Sequence, residues 1–264
     1  MKADEPATPV DVRCADGVAT ITINRPERLN AMDAATYAAL SAAWERVRDD
    51  GDIRAAVVTG AGDRSFSAGA DLKSFVNRPG DLSRFWNTQE GQLLNRGLEV
   101  WKPVVAAING YAFGGGMTLL LATDLRVAAE HATFALSEVK RGLLPANGGT
   151  QRILEQVPHA IAMEMLLLGE PFDAETALRW GLVNRVVPAG DLMPSALEYA
   201  RRLAALPPLA VQACKELAVR ARDMDRPSGL RLEQAMLRML QFTEDAREGT
   251  AAFAEKRAPE YHGR

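Results

Sequence analysis

The sequence predicts an α/β architecture over residues 10–190, followed by a helical subdomain over residues 191–264, and three observations carry this. Short apolar runs, too brief for helices, recur through the first part. A stretch with amphipathic helical spacing follows the first of them. Beyond about residue 190, helical patterns succeed one another with no strand pattern between them.

Residues 1–9 open the chain as a loose tail, polar and proline-containing, with the character of neither a signal peptide nor a membrane anchor. In GVATITINRP, Ala19, Ile21 and Ile23 alternate with Thr20 and Thr22 up to Pro26, the period of a half-buried strand. In DAATYAALSAAWERVRDD, Tyr37, Leu40, Trp44 and Val47 recur at helical spacing, with Asp33 placed to cap the helix and Gly51 to stop it. AAVVTG (55–60), PVVAAING (103–110), DLRVAAE (124–130) and GLVNRVVP (181–188) read as buried strands. PSALEYARRLAAL, PPLAVQACKELAVRARDM and the segment from PSGLRLEQ to AAFAEK read as three consecutive helices, each introduced near a proline. No low-complexity tract and no fixed-period repeat is found.

Composition narrows the function. A net charge of -3 without a long basic run argues against a nucleic-acid surface, because neutralising a phosphate backbone takes clustered Lys and Arg. Cys14 and Cys214 are far apart and lack metal-ligand spacing, so neither a disulfide framework nor a metal site is indicated. A reducing cytoplasm fits this usage.

Two glycine-containing stretches stand out. In GYAFGGGMTLLLATD (110–124) three glycines precede an apolar helix, where unpaired backbone N–H groups suit an anion or a developing oxyanion. SFSAGADLKSF (65–75) repeats that logic with Ser67, Ala68, Gly69 and Ala70 ahead of Asp71. Either stretch alone is weak evidence, because most Gly-Ala turns between strand and helix are structural. Neither matches a phosphate-binding loop or a dinucleotide fingerprint.

GDRSFSAGADLKSF, then KPVVAAINGYAFGGGMTLLLATD, then ATFALSEVKRGLLPANGGTQRI, in this order, resemble the crotonase (enoyl-CoA hydratase/isomerase) superfamily. The resemblance runs from about residue 10 to the C-terminus and includes INRPERLNAMD and EGTAAFAEKRAPEY. It implies a spiral of repeated ββα units with the helical subdomain at its end and homotrimers or dimers of trimers. It also implies an acyl-CoA substrate, so that coenzyme A arrives as part of the substrate and no cofactor is permanently bound.

Carried over position by position, the resemblance makes the backbone N–H groups of Ala70 and Gly115 an oxyanion hole for the thioester oxygen. Such donors each contribute roughly 3 kcal/mol when charge develops there. Of the two glutamates that flank the substrate in hydratases of this family, the later matches Glu138. The earlier position is held by Thr118. A threonine hydroxyl orients water or substrate but is a poor base at neutral pH. A lone Glu138 suits double-bond isomerisation; hydration or hydratase-lyase chemistry with water placed by Thr118 is the alternative. A scaffold that has lost its chemistry and only binds CoA or assembles is a third reading. The resemblance further places Arg28, Leu29 and Ala68 near the nucleotide, with Lys256 reaching its phosphates from a neighbouring subunit or helix.

Each position also has a plainer reading. Glu138 alone is a solvated glutamate, Thr118 a core-facing helix residue, and Lys256 a helix-end charge. Leu136 makes the pocket more apolar than that of ordinary hydratases, and Ala146 replaces a glycine common near the substrate. Trp86 and Trp101 flank a helix that lines the acyl pocket in relatives, with core packing the plainer role. His131, His159 and His262 form no nucleophile or metal pattern.

Overall fold

A two-residue turn opens the fold: Asp16 and Gly17 take positive φ (51° and 73°) and join β1 (Val10–Ala15) antiparallel to β2 (Val18–Ile23). The computed structural model describes residues 8–75 and 93–264. Asp33 caps α1 (Ala34–Asp49) by accepting a hydrogen bond from the Thr36 N–H, and Asp50, one residue before the expected Gly51, is the C-cap.

Three units then repeat one pattern. The first is β3 (Ala55–Gly60), β4 (Ser65–Ser67) and α2 (Leu72–Phe75). The second is β5 (Val104–Ile108), β6 (Tyr111–Phe113) and α3 (Gly115–Leu120). The third is β7 (Leu125–Ala129) and β8 (Thr133–Ala135), followed by a 3-10 turn over Ser137–Arg141 and α4 (Gly149–Gln156). Each unit sends its first strand into one sheet and its second into another. The six-stranded sheet has the order β1-β2-β3-β5-β7-β10, with β10 (Arg185–Val187) at its edge. The four-stranded sheet has the order β4-β6-β8-β9, closed by β9 (Phe172–Asp173). This is the spiral of ββα units that the family resemblance implies.

Alternation along the strands explains why both faces of the large sheet are covered. Ile21, Ile23, Val58, Ala106 and Ile108 enter one core with Leu40, Trp44, Phe66 and Phe134. Val57, Val105, Val127 and Ala129 point to the other face. There α7 (Leu192–Ala204) packs its Leu192, Ala196, Ala200 and Ala204, spaced four apart on one helix stripe. α5 (His159–Leu168) and α6 (Ala174–Arg179) connect the third unit to β10.

Two expectations need correction. The segment 226–255 is two helices, α9 (Arg226–Leu240) and α10 (Glu244–Glu255), because Thr243 accepts the Ala246 N–H and starts a new helix with Glu244 and Asp245 in its first turn. They follow α8 (Pro208–Arg220). Of the 181–188 strand only Arg185–Val187 pairs; residues 181–184 form a turn that precedes it. Among the described residues, no helix is long and apolar enough to cross a membrane.

Candidate functional site

The second strands of the three units lie side by side, so the chain leaves β4, β6 and β8 at neighbouring points. Residues 68–70 follow β4, Gly114 and Gly115 follow β6, and Glu138 follows β8. These segments line one cavity of about 530 Å³, within the range that holds small ligands.

A lattice of backbone bonds sets the loop after β4. The Met32 N–H donates to Gly69 O (2.8 Å) and the Asp71 N–H to Met32 O (2.9 Å), which leaves the intervening Ala70 N–H out of that ladder. Arg25 braces the same loop through ion pairs to Asp33 (3.0 Å) and Asp71 (3.5 Å). Ala68 donates its N–H to Leu29 O (3.0 Å), so Leu29 and Ala68 adjoin, with Arg28 exposed beside them. Gly115 is the first residue of α3, so its N–H has no intrahelical acceptor. Neither the Ala70 nor the Gly115 N–H has a hydrogen-bond partner among the described residues. The two groups are close: a Cβ on Gly115 would lie 3.3 Å from Ala70 N.

The glycines have separate physical reasons. Gly114 takes φ 50°, ψ -117°, a conformation that L side chains rarely adopt. A Cβ on Gly116 would lie 2.3 Å from Ser67 O, so only glycine lets α3 approach β4 this closely.

Glu138 rests its carboxylate on Gly114, where a Cβ would lie 3.4 Å from Oε1. Its Oε2 is buried with no hydrogen-bond partner among the described residues. Burial therefore raises its pKa above the ordinary glutamate value, opposed by its own backbone N–H and by the Arg141 charge. Thr118 is buried, and its hydroxyl is already engaged. It donates to Gly115 O (3.1 Å) and accepts from Asn95 Nδ2 (3.2 Å).

Some site residues escaped the sequence reading. Tyr37, expected only as a core-facing helix position, lines the cavity, and a Cβ on Gly115 would lie 3.2 Å from its hydroxyl. Burial raises its pKa, with Arg96 opposing and Glu138 adding to the shift, so the phenol is neutral at pH 7. The signal available was a hydroxyl within an otherwise apolar helical stripe. Arg141 and Asn147 also line the cavity, the latter at φ 55° and accepting a hydrogen bond from Arg96 Nε (3.0 Å).

Other residues lie elsewhere. Leu136, expected to make the pocket apolar, is fully buried in the core at the end of β8 and does not line the cavity; Ala146 does line it. Trp101 lies away from the cavity beneath Arg220, whose guanidinium is 5.1 Å from the ring centroid, and Trp86 falls outside the described residues. Lys256 is exposed and ends α10 with φ 57°, and the single chain does not bring it to the cavity. His131 Nε2 lies 2.8 Å from Asp63 O and 3.2 Å from Asn109 O.

Paired N–H donors facing a half-buried carboxylate across an apolar cavity can hold charge on a carbonyl oxygen while a proton moves nearby. That defines a class, enzymes acting beside an activated carbonyl. The chain belongs to the enoyl-CoA hydratase/isomerase family, which it matches over residues 13–264. It is 44% identical over 255 residues to the (E)-benzylidenesuccinyl-CoA hydratase of Thauera aromatica, covering 97% of this chain and 99% of that one. It is 45% identical over 247 residues to the carnitinyl-CoA dehydratase of Salmonella arizonae, covering 92% and 94%. Among solved structures, an enoyl-CoA hydratase from Bacillus anthracis superposes with a TM-score of 0.91 at 34% identity, covering 97% of this chain and all of that one. One from Mycobacterium marinum gives 0.90 at 37% identity, with the same coverage.

Proposed function

We propose that this chain adds water to, or removes it from, the Cα–Cβ bond of an acyl-CoA thioester, with Glu138 as the proton-transfer group. The observation that carries the reading is the Glu138 carboxylate seated against Gly114, one residue from the Gly115 N–H and facing the Ala70 loop across the cavity. The thioester oxygen accepts from the Ala70 and Gly115 N–H groups. Glu138 takes a proton from water as the hydroxide forms its bond to Cβ, and negative charge moves onto that oxygen. The neutral carboxylic acid then returns the proton to Cα, so one group serves both halves of the addition. Its raised pKa suits it to both roles. Thr118 keeps one lone pair for a water hydrogen after its bonds to Gly115 O and Asn95, which makes it a positioning group.

The names of the two relatives, a hydratase and a dehydratase, support water chemistry over the double-bond migration first expected from a lone carboxylate. Migration stays as a second reading because Glu138 is the single carboxylate lining the cavity among the described residues. Coenzyme A enters with the substrate, past Leu29 and Ala68. Trimer assembly belongs to the same proposal and is supported by Phe242, 82% exposed in the turn between α9 and α10, and Phe253, 88% exposed on α10; a stable monomer in light scattering would remove it. The test is exchange of the α-protons of a saturated acyl-CoA in deuterated water. An active base exchanges them, whereas a scaffold that only binds CoA leaves them in place.

A further inference from the structure

Arg141 stands three residues after Glu138 in the same 3-10 turn, and in such a turn side chains at i and i+3 share one face. Both line the cavity. Arg141 Nη1 donates to the carbonyl and the hydroxyl of Ser137, each at 3.2 Å, and no carboxylate pairs with the guanidinium among the described residues. The neighbouring Lys140 is different, because it points away to an ion pair with Glu170 at 2.7 Å. Much of the wall around Arg141 is apolar, with Leu72, Phe113, Leu143 and Leu144, and the last two are 55% and 67% exposed. The Arg141 charge acts on the Glu138 carboxylate without forming an ion pair with it, which leaves the guanidinium donors that Ser137 does not take facing an apolar cavity, suited to a planar anion bound through two parallel N–H groups. An acyl chain lying on Leu143 and Leu144 would bring a distal substituent to it.

We propose that Arg141 recognises a carboxylate on the acyl group, so that this site takes acyl-CoA thioesters carrying a second, free carboxylate beyond the reacting carbons. The inference rests on the acyl-CoA reading above for what enters the cavity, but not on the chemistry performed there. The same guanidinium could face a phosphate of the CoA moiety instead, and matched ligands separate the two sources. Every CoA thioester carries the phosphates, whereas the acyl carboxylate is present in one member of each pair.

The experiment is calorimetric binding of succinyl-CoA against butyryl-CoA, and of glutaryl-CoA against valeryl-CoA, to wild type, Arg141→Met and Arg141→Lys. A charge-assisted hydrogen-bonded pair corresponds to about 10- to 100-fold in affinity. Wild type is expected to prefer the carboxylate in at least one pair. Arg141→Met should lose about 10- to 100-fold on that ligand and under about threefold on its methyl counterpart, and Arg141→Lys should recover part of the loss. Equal losses on both members of a pair assign Arg141 to phosphate and overturn the proposal. Absence of any carboxylate preference in wild type overturns it as well. Binding is read without turnover, so a carboxylate preference in a protein that neither hydrates nor exchanges would overturn the proposed reaction and leave this inference standing. Turnover without a preference would do the reverse, and binding of none of the four would overturn both.

Discussion

The Glu138 carboxylate occupies the space that a side chain on Gly114 would crowd, with Oε1 3.4 Å from where a Cβ would stand. Gly114→Ala therefore acts twice. It forces an L side chain into φ 50°, at a cost of about 1–3 kcal/mol, and it presses on the carboxylate at the start of α3. Thermal unfolding should show that loss, and kcat/KM for a short enoyl-CoA should fall by more than the unfolded fraction accounts for. An alanine variant with wild-type stability and rate would show that this contact does not matter.

Because burial raises the pKa of Glu138, its working form as a base appears only above the ordinary glutamate range. The pH profile of kcat/KM should rise through a midpoint above that range. Stability should move oppositely. Between the unfolded and folded pKa values the folded chain holds the extra proton, so stability falls as pH rises through that window. Glu138→Gln lacks this dependence, and its melting temperature should gain on wild type as pH rises above the ordinary glutamate range. A difference that is flat or reversed in pH would contradict the burial assigned to Glu138.

Thr118→Val keeps the shape but removes the hydroxyl that accepts from Asn95 and donates to Gly115 O. A buried amide donor is left without its partner, at about 1–3 kcal/mol. As a positioning group, Thr118 should cost nearer 10-fold in kcat. A loss as large as that of Glu138→Gln would make it part of the proton-transfer machinery.

Arg126 is buried at the C-terminal end of α3, where its guanidinium donates to the carbonyls of Leu120, Thr123 and Leu182 and to the Thr123 hydroxyl. Burial pushes its pKa down to about 10, so it stays charged at neutral pH and answers the negative end of the helix. Arg126→Met should destabilise the fold by about 3 kcal/mol, read by denaturant unfolding. A loss below about 0.5 kcal/mol would mean that the carbonyls find other donors.

The first strands of the three units, β3, β5 and β7, were legible because each is a short apolar run bounded by Gly, Asp or Pro; the three-residue β4, β6 and β8 are too short to show a period and were not read as strands. β1 was not recognised, although Val10, Val12 and Cys14 alternate with Asp11 and Arg13 and lead into Asp16-Gly17, a hairpin signal. Its partly polar edge carried too little apolar contrast to draw a strand assignment. The break between α9 and α10 was hidden because Thr243 is an ordinary residue until its hydroxyl is seen accepting the Ala246 N–H. In the site, Ala70, Gly115, Thr118 and Glu138 were legible from family motifs. Tyr37 and Asn95 come from elements distant in sequence, and their side chains reach the cavity region only once α1 and the segment before β5 pack against α3. Local periodicity carries no record of that packing.

The central claim, that Glu138 alone moves the proton, is tested most directly by following hydration and double-bond migration from one short enoyl-CoA in wild type, Glu138→Gln and Thr118→Val. The amide keeps the shape of the carboxylate but cannot take a proton, so Glu138→Gln should lose about 10²- to 10⁴-fold or more, and Thr118→Val about 10-fold. A wild type that hydrates rapidly, together with a Glu138→Gln variant that retains that rate, would contradict the account and move the proton-transfer group elsewhere in the cavity.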